Sequence, residues 1–322
     1  MTLIAVVSAK GAPGVTTLTV ALSALSGPDA VAADLDPYGG DLALRYRRAG
    51  GRPLDPSIGL LSLAAAIRSG ARSEGTALAD HVQRASGGLA ILAGVSRPEQ
   101  VAGLGPLWRH VAGALRSGGT VFADCGRVGP SSAVLPVITT ADAVLMVARA
   151  ELEELAHLRE RLRFLAGLIP SMSSSGSRIG VVLINGERDR AAGERAQRLL
   201  ASAGLSVPVV GRIADDPQGA AVLRGVRAGR PGRTLLVRSA RSLLPAVAAL
   251  TQRVAADDAG LAPQPEPRRP AQPMQPAAHP VPVAQPVAVS AASDSGQPVN
   301  GHHPSHQPSH HPSHRAAPDG NG

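Results

Sequence analysis

The residues with the clearest chemical potential stand together in one stretch, SAKGAPGVTTLT, residues 8–19. An apolar run of strand length enters it and a helix-like segment leaves it. Gly11 and Gly14 allow the backbone to approach a ligand closely, and successive N–H groups at a helix start converge on an anion. That arrangement suits phosphate. Lys10 puts a compact point charge at the head of the turn. Thr16 and Thr17 open the helix, where a hydroxyl is placed to ligate Mg²⁺. Two features subtract from this chemistry. Val15 occupies the place where such loops carry a lysine, and Pro13 has no N–H to offer.

More polar groups end apolar runs elsewhere. Asp34 and Asp36 lie in AVAADLDPYGGDLA, Asp124 in TVFADCG, and Asn185 in VLINGERD. A carboxylate at a buried strand end is costly unless a cation or hydrogen-bond donors offset it. Retention of Asp36 and Asp124 together with Lys10 therefore favours a live site. Of the 32 basic residues, 31 are Arg, and the single Lys is Lys10. A chain that otherwise uses only the wide guanidinium fork keeps one compact ammonium, at the glycine turn.

The elements that must carry these groups can be read from the alternation of apolar runs and helix-like segments. Strands are expected at Leu3–Val7, Ala30–Ala33, Leu89–Leu92, Thr120–Ala123, Ala143–Val147, Ile179–Ile184 and Val207–Gly211. Helices are expected at Val15–Leu25, Pro98–Leu115, Leu152–Leu168, Ala191–Ala203, Pro217–Ala228 and Leu236–Val254, the last with a kink at Pro245. Continuous Val/Ile/Leu/Ala runs separated by helices predict an α/β fold with a doubly wound, mostly parallel sheet in three α/β/α layers. Ligands in such sheets bind at the carboxyl ends of strands, where the polar groups fall, after Val7, Ala33, Ala123 and Ile184.

Composition divides the chain of 322 residues. Residues 1–256 read as one folded domain. Residues 257–322 are rich in Pro and His, with a repeated PSH unit, and read as a disordered tail that can bury too little apolar surface to offset ordering. The folded part carries 29 basic and 19 acidic residues, an excess that suits acidic partners such as nucleotide, nucleic acid or anionic lipid. With Cys125 alone, no intramolecular disulfide forms, and no run is long and apolar enough for a membrane span. A cytoplasmic setting is expected. Cys125 reads as a small buried residue, because no neighbouring base is identifiable.

KGAPGVTT resembles the deviant Walker A motif of the ParA/MinD family of P-loop ATPases, KGGxGKT[ST]. Lys10, Gly11, Gly14, Thr16 and Thr17 match. Val15, Ala12 and Pro13 depart from the pattern, which makes the loop degenerate. The resemblance implies that Lys10 reaches the phosphates of the opposite subunit in a nucleotide-sandwich dimer. It implies that Thr16, Asp36 and Asp124 surround Mg²⁺, that Asp36 orients the attacking water, and that the Gly126 N–H senses the γ-phosphate. Asn185 would read adenine, and Ala214 stands where the family has Pro. The cofactors implied are ATP and Mg²⁺, with Gly11, Gly14, Val15, Thr16 and Thr17 lining the phosphates. The missing lysine and LAILAGVSRPEQV resemble the CpaE/TadZ branch, whose members localise pilus or secretion machinery.

Two surface patterns complete the reading. Arg224, Arg227, Arg230 and Arg233 recur every third residue in a stretch without acids, as a nonspecific DNA-binding surface would. Leu152, Leu155, Leu158, Leu162 and Leu165 form a core stripe on one helix. The chain does not carry the C-terminal amphipathic helix with which MinD targets membranes, so no membrane contact is expected. Three functions stay open: a dimerising nucleotide switch with weak or absent hydrolysis, a pseudo-ATPase scaffold that no longer binds nucleotide, and a DNA-binding partition ATPase.

Overall fold

The computed structural model describes residues 1–11, 13–70, 78–169, 177–186, 189 and 191–260. Ala12 and the Pro/His-rich segment lie outside the described residues.

Eight strands form one sheet: β1 (Thr2–Ser8), β2 (Val31–Asp34), β3 (Gln83–Arg84), β4 (Ala90–Leu92), β5 (Thr120–Arg127), β6 (Ala143–Arg149), β7 (Ile179–Asn185) and β8 (Val209–Ala214). Their order is β3-β4-β2-β5-β1-β6-β7-β8. All pairs are parallel except β3 with β4. Alternation along β1 explains the layers. Leu3, Ala5 and Val7 face one core, and Ile4 and Val6 face the other. Both sets are fully buried, so the strand reads as an unbroken apolar run.

Helices α1 (Val15–Leu25), α2 (Leu42–Arg45), α3 (Leu60–Arg68), α4 (Glu99–Ala102), α5 (Trp108–Ser117), α6 (Leu135–Thr140), α7 (Leu152–Leu168), α8 (Ala192–Ser202), α9 (Pro217–Leu223) and α10 (Leu235–Gly260) connect or follow the strands. Side chains of α3, α5, α6, α7 and α8 pack on one face, and those of α1 and α10 on the other. Each fully buried Leu in these layers contributes about 2 kcal/mol.

All seven expected strands are present. The short antiparallel β3 was not anticipated, because two residues give no periodicity. The helix expected over Pro98–Leu115 is instead α4, a 3₁₀ turn at Gly105–Leu107, and α5. Gly103, Gly105 and Pro106 interrupt it, removing a backbone donor and favouring turn geometry. The segment expected over Pro217–Ala228 ends at Leu223, with Gly225 at φ 72° just beyond. Helix α10 runs through Pro245 and extends to Gly260. On α7 the core stripe is Leu155, Leu158, Leu162 and Leu165. Leu152, its first residue, is 78% exposed, so the stripe begins one turn later than its spacing suggests.

Candidate functional site

The glycine turn joins the central strand β1 to α1. Gly11 and Gly14 both take left-handed φ, 59° and 70°, which a side chain would strain. Gly14 caps α1, and its carbonyl accepts the Leu18 N–H at 2.8 Å. The Ser8 hydroxyl donates to the Gly11 carbonyl at 2.9 Å, closing the turn. Thr16 and Thr17 follow at the start of α1, partly exposed. Val15 is different. Its side chain is fully buried in the core with Val6, Leu18 and Ile184, so only its backbone N–H is available to a ligand.

Strands β2 and β5 are neighbours, and their register pairs Asp34 with Asp124. Both side chains are about 1% exposed. Burial, with Asp124 beside it, pushes the Asp34 carboxyl up to about 7. Burial likewise pushes Asp124 up to about 6, although the Thr16 hydroxyl and the Gly126 N–H (3.1 Å) donate to it. The Leu42 N–H donates to one Asp34 oxygen at 2.9 Å. The other, Oδ1, is buried without a well-formed hydrogen bond, the Asp36 N–H being the nearby backbone donor. Two glycines make this placement possible. A Cβ on Gly40 would stand 2.5 Å from an Asp34 carboxylate oxygen, and one on Gly94 would stand 2.6 Å from the Asp34 carbonyl.

Asp36 lies one turn further along. It accepts from the Tyr38 N–H at 2.9 Å, and partial burial raises its carboxyl above the ordinary range. Its carboxylate rests on Gly126, which is at φ 60°, and a Cβ there would meet it at 2.5 Å. The two loops after β2 and β5 are therefore packed on each other through Asp36 and Gly126. Among the described residues, no three His, Cys, Asp or Glu side chains converge as a ready-made metal cluster. A cation here would need the Thr16 hydroxyl, water and ligand oxygens to complete its shell, as Mg²⁺ at phosphate sites does. Cys125, between these groups, is fully buried, and burial with the adjacent carboxylates pushes its thiol well up, so it is no nucleophile.

The sheet edge beyond the loop holds two clefts. A small one of about 90 Å³ is lined by Gly14, Thr17, Arg149, Ile184, Asp215 and Leu236, among others. An Arg149–Asp215 ion pair at 2.8 Å forms part of its wall. Asn185 does not line this cleft. It lines a separate one of about 340 Å³ beside α8. Its amide nitrogen donates to the Asp189 carbonyl at 2.7 Å, and its Oδ1 is buried without a partner. Lys10 is exposed and lines a third cleft, which shares no residue with the one at Gly14 and Thr17. The structure thus places Thr16 and Asp36 near Asp124, while Lys10 and Asn185 line clefts of their own. Asp34 is the most perturbed group of the cluster. Its D-x-D spacing and the glycines at 39–40 were its only sequence signal.

Arg224, Arg227, Arg230 and Arg233 are all exposed. They lie on the irregular segment between α9 and α10, with a 3₁₀ turn at Pro231–Arg233, and not along a helix face. No helix among the described residues is long and apolar enough to cross a membrane.

The sequence matches no protein-family model and no curated protein. The fold does have counterparts. The cell division ATPase MinD from Pyrococcus furiosus superposes with a TM-score of 0.58 at 21% identity, over 77% of this chain and 99% of that one. The septum site-determining protein MinD of Pyrococcus horikoshii, complexed with Mg-ADP, gives 0.54 at 21% identity, over 75% and 93%. A Cyanothece McdA variant in complex with ATP gives 0.56 at 17% identity, over 78% and 96%. This chain has the ParA/MinD-like P-loop fold. Two of these counterparts were solved with nucleotide, Mg-ADP in one and ATP in the other.

Proposed function

We propose that this chain is a ParA/MinD-like nucleotide-binding protein that uses Mg²⁺·ATP to control its self-association and partner binding, with weak hydrolysis. The observation that carries the reading is Asp34 and Asp124 buried beside the loop, neither of them in an ion pair among the described residues, with the Thr16 hydroxyl close to Asp124. The buried Asp34 Oδ1, without a well-formed hydrogen bond, fits a site completed by a hydrated divalent ion. Thr16 and Asp124 would hold Mg²⁺, with Asp36 beside them and Asp34 behind. A bound Mg²⁺ would offset phosphate charge. The N–H groups at the start of α1 would receive the phosphates, helped by the positive end of the helix. Gly126, packed on Asp36, would pass changes in one loop to the other. Hydrolysis is weak because the charge normally supplied at position 15 is absent, and phosphoryl transfer depends on positioning and electrostatics. Exposed Lys10 is free to reach a second copy of the chain, and a homodimer is the expected assembly. A cytoplasmic localisation agrees with this activity, and residues 1–256 would form the nucleotide domain.

A second reading, a pseudo-ATPase scaffold like the CpaE/TadZ branch, is favoured by two observations. The Val15 side chain belongs to the core, and the cleft beside Thr17 is far smaller than the roughly 300–1,000 Å³ of typical ligand pockets. Titration with a fluorescent ATP analogue separates the readings. The switch predicts saturable Mg²⁺-dependent binding that Thr16→Ala weakens about tenfold or more. Absence of saturable binding in the wild type, with or without Mg²⁺, establishes the scaffold. Sedimentation with Mg²⁺·ATP then reads the dimer directly.

A further inference from the structure

Lys10 lines a cleft of about 340 Å³ on the other side of the glycine turn. The remaining cations of its wall are Arg127, the last residue of β5, and His157 and Arg161 on α7. Ser131, Ser132 and Tyr38 complete the lining that matters, and no Asp or Glu is part of it. The cations are held in place without being neutralised. The Arg127 guanidinium lies over the Tyr38 ring, 5.2 Å from its centre. Arg161 stacks near Phe164 at 5.9 Å, and its guanidinium lies close to Gly129. Arg161 Nε is buried and has no hydrogen-bond partner. Among the described residues, none of Lys10, Arg127, His157 or Arg161 forms an ion pair. Asp36 attracts Arg127 from a distance but does not line the cleft.

A structured loop supports the wall. The Val128 N–H donates to the Ser8 carbonyl at 3.0 Å. The Ser132 hydroxyl accepts from the Gly129 N–H at 2.7 Å. The Ser131 hydroxyl is exposed at the rim.

We infer that this cleft, which flanks the glycine turn at Lys10 and has none of Gly14, Thr16 or Thr17 in its lining, is a second anion site that takes a multiply charged phosphate group from a small molecule. Three permanent cations converging without a counter-charge are matched by a di- or trianion, whereas a single carboxylate would leave most of the charge unpaired. The guanidinium forks of Arg127 and Arg161 suit tetrahedral oxyanions, and Ser131 adds a neutral donor. The inference does not depend on nucleotide binding at Thr16, because Thr16, Asp34, Asp36 and Asp124 are not part of this cleft's lining. Lys10 borders both proposals, so the test leaves it unaltered.

The test is calorimetric titration of the full chain with inorganic pyrophosphate in the absence of Mg²⁺. Binding is expected in the wild type and in Thr16→Ala. Arg127→Gln and Arg161→Gln should each weaken it about tenfold or more, the size of one charge-assisted contact. Ser131→Glu, on the exposed rim, places a carboxylate in the cleft and should abolish binding even if an Arg variant folds poorly. The fluorescent ATP analogue should bind all three cleft variants as it binds the wild type. No pyrophosphate binding in the wild type overturns the inference. So does binding that is lost in Thr16→Ala and retained in Ser131→Glu, since the anion then sits in the phosphate loop.

Discussion

The two ends of the sheet each bury aspartate, and they treat it in opposite ways. At the amino end, Asp142 precedes β6 and is 8% exposed. It accepts the Leu3 N–H at 2.8 Å and pairs with Arg116 at 2.8 Å. At the carboxyl end, Asp34 and Asp124 are buried more deeply, side by side, with backbone donors and one hydroxyl; Arg45 acts on Asp124 only from a distance, and neither carboxylate forms an ion pair among the described residues. The amino end is built for stability alone. The carboxyl end keeps an electrostatic debt that a ligand can settle. Parallel sheets place their ligands at that end, and here the difference in compensation marks it independently of any motif.

The largest effect should come from breaking the compensated end. Arg116→Ala strands a buried carboxylate and should cost about 2 kcal/mol, read as a shift in the urea midpoint at constant slope. The matching change at the other end should act in the opposite direction. Asp34→Asn removes an uncompensated charge, so the ligand-free chain should be stabilised by on the order of 1–2 kcal/mol at pH 8. An equal loss at both ends would erase the distinction.

Asp34 and Asp124 also set a pH dependence. Their folded pKa values, about 7 and about 6, lie above that of an unfolded aspartate. Folding then takes up protons at these two groups, so their contribution to stability is full below about pH 4 and is lost as pH rises through about 7. Thermal melts of the ligand-free chain across pH 4–8 should show this decline, and Asp34→Asn should flatten it. A smaller effect is expected from Gly40→Ala. The added Cβ meets the Asp34 carboxylate and should cost about 1 kcal/mol, with partial relief in the Asp34→Asn background. The smallest effect on stability is expected from replacing Arg224, Arg227 and Arg230 by Ala, because all three are exposed. If the segment binds DNA, that change should reduce affinity and flatten its salt dependence.

The sheet was legible because its strands are buried on both faces and so read as unbroken apolar runs. Helices α1 and α7 were legible at their ends, but short α2, α3 and α6 left too little periodicity to detect. The glycine turn after β1, Thr16 at the start of α1 and Asp124 near the end of β5 could be placed from spacing alone. The direction of Val15 could not, because one helix position decides between core and ligand. Nor could the separation of Lys10 from Thr17, which depends on how the loops after β2 and β5 fold over the turn. Asp34 was visible as a strand-end carboxylate, but its isolation is set by Gly40 and Gly94, far apart in sequence.

The central claim is that Asp34 and Asp124, in no ion pair among the described residues, are held for a cation that arrives with a nucleotide. The most direct measurement is proton release on binding Mg²⁺·ATP at pH 6.5, by calorimetry in buffers of different ionisation enthalpy. The account predicts that the wild type releases protons, because the incoming cation lowers both raised carboxyls, and that Asp34→Asn releases fewer. Equal release by the two proteins, or binding with no release, would contradict it.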